Sequence, residues 1–347
     1  MSFIKTEDIN QSILRGVNYL HQHQFPNGEF CVYMGFDDNL THTFPYSNVF
    51  PTSLICHSLL QLKHLDKVKQ MLESSSLFLQ FQSMRGGVWN NFTSWNPLFK
   101  ICPADVDNTS CASKVLQELE KSYPENRGII LKNRNKSGLF YTWYTLRPNL
   151  IFDKNYWLLI LREYKNPLKS FMFWHKFECS RNDVDAVVNA NVLFYLGLDN
   201  ETIPLINYMV NIINQNKEND CDEWYRNPFS IYYFFSRNYK KGITELESIK
   251  QPIIDRILAT VKESGSMGES ILDTAFGIIS LLNLNYYSPI IEKAVKYLLK
   301  NQQDYGNWQR WVVYYGGAKK LSCFGSEEFT TGFCLEALAL YKETQDK

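Results

Sequence analysis

The chain has 347 residues, 45% of them apolar, which is enough to fill one large core. Lysine plus arginine balances aspartate plus glutamate at 36 each, so no long-range field draws the molecule to nucleic acid or an anionic surface, and no run approaches the roughly 20 apolar residues of a membrane span. Eight cysteines without a Cys-x-x-Cys pair, behind a polar start with no signal-peptide core, point to reduced thiols in a cytoplasm.

In chain order, the apolar spacing predicts helices that alternate in character. An amphipathic helix over 6–24 is followed by a more apolar one over 54–62, and 66–82 is followed by 107–119. The third pair is 153–164 with 183–198, after a loop of mixed turns; then come 203–216 with 228–237, 246–263 with 270–284, and 289–303 with 327–341. In each pair the second helix is apolar on most faces, as expected of a helix enclosed by its partners. Repetition at this scale predicts an all-α fold, a single α/α barrel of six inner and six outer helices spanning residues 1–347. An open superhelix of helix pairs is the alternative. In the barrel, Thr52, Asp107, Asp183, Pro228, Asp273 and Glu328 ring one mouth, where helix dipoles and free amides point.

A second mark repeats at the ends of outer helices. Gln302, Gly306 and Trp308 recur as Gln24, Gly28 and Phe30, with a looser copy from Gln82 to Trp89. A Gln that caps the turn, a Gly that permits positive φ and a ring that covers the joint make a mechanical clasp. At the mouth, Asp105, Asp107 and Asn108 precede an apolar helix. Taken alone they read as an N-cap.

The clasp, found alongside Asp105-Val106-Asp107-Asn108-Thr109, resembles the prenyltransferase and squalene-cyclase repeat superfamily, and within it the class II terpene cyclases, whose signature is Asp-x-Asp-Asp followed by Thr. The resemblance implies that Asp107 is the proton donor and Asp105 its supporting acid, with Asn108 in place of the family's usual Asp and Thr109 closing the motif. The chain is long enough for one barrel only, which makes it similar to the single-domain members acting on prenylated aromatic compounds. It implies a prenylated small-molecule substrate and no cofactor or metal. Protonating an alkene requires a carboxyl that keeps its proton yet leaves a stabilised anion, and rings that steady a carbocation. Candidate rings are Tyr46, Phe50, Trp89, Trp95, Phe229, Tyr232, Tyr233, Phe276, Trp308 and Phe329; each also fits a core or clasp role. Asp183, Asp185 and Asn189 are expected either to face Asp107 across the mouth or to act as a cap with one internal hydrogen bond. Glu327, Glu328 and Asp185 are candidates for the base that removes the final proton. Residues 229–235 form either a membrane-resting patch or a cavity wall.

Other readings fit the sequence less well. Asp37-Asp38-Asn39-Leu40-Thr41 lacks the last acid of a class I metal box, and no histidine follows His175 to complete a protein-prenyltransferase zinc site. Cys56-His57 lies inside an apolar helix and reads as core. An α/α-barrel glycosidase pairing Asp107 with Asp185 is the alternative enzyme, and a non-enzymatic helical-repeat binding protein the third class.

Overall fold

The computed structural model describes residues 4–147, 151–165, 167–176, 179–317 and 322–345. Six inner helices follow one another around an axis: α2 (Val49–Leu59), α4 (Val106–Glu118), α8 (Ala186–Leu196), α10 (Pro228–Lys240), α12 (Ile271–Asn283) and α14 (Glu327–Gln345). Each packs on the next, and α14 packs back on α2. The ring is closed, which decides for the barrel and against the open superhelix. Around it lie α1 (Thr6–His23), α3 (Asp66–Gln82), α5 (Arg127–Lys132), α9 (Ile203–Asn214), α11 (Glu247–Leu258) and α13 (Pro289–Lys300). No described helix is long and apolar enough to cross a membrane.

The inner helices are apolar because they are surrounded: every residue of α10 from Phe229 to Asn238 is buried. Several inner N-termini are fixed by short polar side chains. The Asp105 carboxylate accepts from the Asn108 amide at 2.7 Å, Asn227 accepts from Phe229, and Ser270 and Asp273 form a reciprocal capping box on α12.

The third pair differs from expectation. Its outer helix is the short α5, and the predicted helix over 153–164 is instead α6 (Lys154–Tyr164), which with α7 (Pro167–Lys176) forms an insertion after the clasp. The clasp itself shows the register. The amide of the residue two beyond each clasp glycine donates to a side chain on the paired inner helix: Phe30 to Thr52, Trp89 to Thr109, Phe140 to Asn189 and Trp308 to Thr331. Residues 133–140 therefore form the third clasp, and α5, which leads into them, is its outer helix. The indoles of Trp89 and Trp308 donate to the carbonyls of Leu79 and Leu298, both at 2.8 Å. Gly306, at φ +93°, lies so close to α1 that a Cβ would sit 2.4 Å from the Arg15 carbonyl oxygen. The clasp thus ties an outer helix to its inner partner and to the next outer helix.

Four short strands were not foreseen. β1 (Val32–Gly35), β2 (Phe44–Tyr46), β3 (Tyr314–Tyr315) and β4 (Cys323–Gly325) form an antiparallel sheet in the order β2-β1-β4-β3. Met34 pairs with Phe324, and Tyr314 with Phe324 on its other side, so the sheet joins the first and last repeats above the mouth.

Candidate active site

The mouth holds a cavity of about 270 Å³. Its floor is the first turn of α4, with Asp105, Asp107 and Asn108, together with Phe50 of α2 and Val188 of α8; the sheet contributes Met34, Tyr46, Tyr314 and Phe324, and α7 contributes Phe173. The loops add Phe92, Trp143, Trp224 and Tyr225. Among the described lining residues the only carboxylates are Asp105 and Asp107, and no side chain is cationic.

Asp107 has a partner on each oxygen. Asn191 of α8 donates its amide to Oδ1 at 2.6 Å, and the Tyr225 hydroxyl donates to Oδ2 at 2.9 Å. Behind Asn191 lies Arg237 of α10, whose guanidinium donates to the Asn191 carbonyl at 2.5 Å while resting on the rings of Phe194, Phe234 and Tyr233, 4.5, 4.7 and 4.9 Å from their centroids. Burial pushes the Asp107 carboxyl up to about 6, against the two hydrogen bonds and the Arg237 charge, which lower it. Asp105 is pushed up to about 8, chiefly by burial, although Asn108 gives it its backbone amide and both carboxylate oxygens contact the Asn108 side-chain amide at 2.9 and 3.0 Å. The arrangement favours a proton on the buried carboxylate pair and supplies donors to the anion that remains when it leaves.

Tyr225 is set in place by Asp222. The Asp222 carboxylate accepts from the amides of Trp224 and Tyr225, each at 2.9 Å, and from Val187 at the start of α8. Asp185 accepts from the Glu223 amide at 3.0 Å and from the Thr142 hydroxyl. It is a buried tie between loops and does not line the cavity.

Several expected roles move accordingly. Thr109 is fully buried between the Trp89 amide and the Asp105 carbonyl, a clasp residue and not part of the cavity. Asn189 exchanges hydrogen bonds with the Phe140 backbone and does not face Asp107; Asn191, two residues on, does. Asp183 is half-buried, accepts from the Ser180 amide and is pushed up to about 7 by burial and by Asp185. Of the candidate rings, Tyr46 and Phe50 line the cavity. Trp89 and Trp308 serve the clasps, and Trp95, half exposed, donates to Ser47. Tyr233, Phe276 and Phe329 pack with Phe333 in the barrel interior, while Phe229 and Tyr232 pack edge to face on each other outside the cavity. Residues 229–235 are buried and form neither a membrane patch nor a cavity wall. Glu327 pairs with Arg310, and Glu328 lies near the Tyr19 hydroxyl; neither reaches the cavity. Asn191, Tyr225 and Arg237 carry no periodic or motif signal; the first and last are polar residues among several inside buried inner helices.

An α/α barrel whose inner-helix mouth carries an Asp-x-Asp-Asn run under an aromatic roof has the fold of the type II terpene cyclases. The solved type II terpene cyclase MstE from Scytonema superposes with a TM-score of 0.69 at 14% identity, covering 98% of this chain and 99% of that one, and has also been solved with geranylgeranyl dihydroxybenzoate as substrate. A protein from Actinoplanes gives a TM-score of 0.71 at 16% identity, covering 96% of this chain and 99% of that one. The ent-copalyl diphosphate synthase from Streptomyces platensis gives 0.56 at 15% identity over 84% of this chain and 50% of its own. By sequence, no family model and no curated protein matches.

Proposed function

We propose that the chain is a class II, proton-initiated terpene cyclase that protonates the terminal alkene of a prenyl chain on an aromatic or similar head group and cyclises it through carbocations. The observation that carries this reading is Asp107, a carboxyl at the floor of an aromatic cavity with a separate donor on each oxygen. A substrate that fills the cavity removes the remaining water and raises the carboxyl further, so the acid is protonated when the alkene arrives. The proton passes to the alkene carbon, and Asn191 and Tyr225 hold the carboxylate left behind. The cation then moves beneath ring faces such as Phe50, Trp143, Trp224 and Tyr314, which attract it without combining with it. The lack of a cation among the described lining residues argues against a free diphosphate and for a prenyl chain on another head group. Of the substrate bound by the Scytonema enzyme it suits the prenyl-aromatic framework and not the carboxylate of the benzoate, which would meet the same lack of a cation. A paired-aspartate glycosidase is disfavoured, because Asp185 is tied to Thr142 and Glu223 and faces no gap opposite Asp107.

The test is incubation with farnesyl- and geranylgeranyl-substituted aromatics, free prenyl diphosphates and squalene, without added metal. The wild type is expected to give an isomer of unchanged mass, and Asp107→Asn to form it at least about 100-fold more slowly, in line with the loss of a positioned general acid. Equal turnover by both proteins, or none of any substrate, would sink the proposal.

A further inference from the structure

A cyclisation that starts at Asp107 and gives an isomer has to end with the loss of a proton, and the floor acids are poorly placed to take it. Asp107 stands where the cation begins, and the Asp105 oxygens are taken up by Asn108. Other carboxylates are reached from the cavity through hydroxyls that line it. Among the described lining residues three hydroxyls donate to a carboxylate: Tyr225 to Asp107 itself, Tyr315 to Asp38 at 2.9 Å, and Thr142 to Oδ2 of Asp185. Asp38 is exposed, and an acceptor open to bulk water admits the water with which a cation combines. Thr142 and Asp185 are both buried. Thr142 is also held from both sides: its amide donates to the Asp183 carbonyl at 2.9 Å, and its carbonyl accepts at 2.8 Å from Val106, the first residue of α4. The hydroxyl is thus fixed beside the turn that carries the acids. Asp185 keeps Oδ1 for the Glu223 amide and leaves Oδ2 to Thr142. Burial pushes the Asp185 carboxyl up, against those two hydrogen bonds, which makes its anion a stronger base than a carboxylate in water. Half-buried Asp183 and exposed Glu223 lie within electrostatic reach of it, so the carboxylates step from the cavity wall towards solvent.

We propose that Thr142 is the catalytic residue that ends the reaction, its hydroxyl taking the proton from a carbon next to the final cation while passing its own proton to Asp185, the positioning residue behind it. The C–H bonding pair becomes the π bond of the product alkene, the cation is discharged, and the Asp185 carboxylate becomes a carboxylic acid. Asp185 then loses that proton to solvent, and Asp107, left as the anion, is recharged from solvent. A neutral hydroxyl suffices because a C–H bond beside a carbocation is a far stronger acid than hydronium, and the carboxylate behind it keeps the oxygen from carrying a positive charge. The assignment rests on the cyclase reading and adds to it the group that closes the sequence.

The experiment compares wild type with Thr142→Val, Thr142→Ser, Asp185→Asn and Asp38→Asn on a prenylated aromatic that wild type converts, with product alkenes and water adducts separated and identified by mass and NMR. Thr142→Val keeps the shape of the side chain and removes the acceptor. In Thr142→Val and Asp185→Asn the ratio of the wild-type alkene to all other products is expected to fall at least about tenfold, while substrate consumption falls by less than that, since Asp107 and its donors are untouched. Thr142→Ser keeps the hydroxyl and should restore the wild-type product, and Asp38→Asn, at an exposed position, should leave it unchanged. Because Asp185 also ties two loops, Thr142→Val decides the matter where Asp185→Asn does not fold. An unchanged product ratio in Thr142→Val overturns the assignment. So does loss of consumption in that variant with no new product, which would make Thr142 a scaffold of the floor, and so does a product change in Asp38→Asn alone. No isomer from wild type on any prenylated substrate would count against the cyclase reading itself, whereas a wild-type isomer that Thr142→Val also makes, in the same ratio, removes only the role of Thr142.

Discussion

As the proposed proton donor, Asp107 would have to satisfy two opposite demands: it must hold a proton near neutral pH and must surrender it to carbon. Burial works toward the first by raising the carboxyl to about 6, short of neutral until substrate raises it further, and the Asn191 and Tyr225 donors serve the second by favouring the anion. Arg237 adjusts the balance from behind. Its charge is held off water by three rings and reaches Asp107 through the polarised Asn191 amide. Asp105 is the more enclosed of the two acids, 3% exposed against 7% for Asp107, and its oxygens are taken up by Asn108. That leaves Asp107 as the carboxyl presented to substrate. Because the acid acts protonated, activity should fall as pH rises through its pKa. Arg237→Gln removes a lowering influence, so that pKa rises: the alkaline limb of the kcat profile should move up by on the order of one unit, while kcat on the acid plateau drops because the acid is weaker. A pH–rate profile with an unmoved limb would show that Arg237 only fills space. The acids of this site could be read from the sequence because a short cap-like run marks a helix mouth. Their partners could not, because Asn191, Tyr225 and Arg237 come from two other helices and a loop whose approach depends on barrel closure.

At the level of elements, the clasps carry more of the account than the motif alone suggests. Thr52, Thr109 and Thr331 hold equivalent places on α2, α4 and α14, each receiving a buried backbone amide. Thr109 therefore follows the acidic run for a mechanical reason. Thr331→Val keeps the shape but leaves the Trp308 amide buried without an acceptor, and is expected to lower stability by about 1–3 kcal/mol, read as a shift in the urea midpoint, with unchanged turnover per folded molecule. An unchanged midpoint would mean that the clasp contributes packing alone. The Gln-Gly-Trp spacing was legible at both ends of the chain because its ring and glycine stand out. The third copy was not: it has Arg134 in place of the Gln, with Gly138 and Phe140, its outer helix α5 has only six residues, and the inserted α6 shows the stronger helical periodicity. Local pattern favoured the longer helix, and only the register of Phe140 against Asn189 corrects it.

For the whole molecule, the count of six pairs followed from alternating amphipathic and apolar helices, and the packing of α14 on α2 decided their closure into a barrel over an open superhelix. The roof did not, because strands of two to four residues are too short to show a period, and they pair residues near 33 with residues near 324. The roof supplies much of the aromatic wall, which is why Tyr233, Phe276 and Phe329, inferred from the inner helices, fell into the core while Tyr314 and Phe324 of the sheet line the cavity beside Phe50. In the proposed reaction, a closed barrel with a roof and a floor acid would confine the reactive cation away from bulk water. The claim that a proton from this floor starts the reaction is tested most directly by turnover in deuterium oxide. If the account holds, wild-type product carries one non-exchangeable deuterium, on the carbon that received the proton, and is one mass unit heavier than product made in ordinary water, while Asp107→Asn forms it at least about 100-fold more slowly. Product formed in deuterium oxide without that label would contradict it.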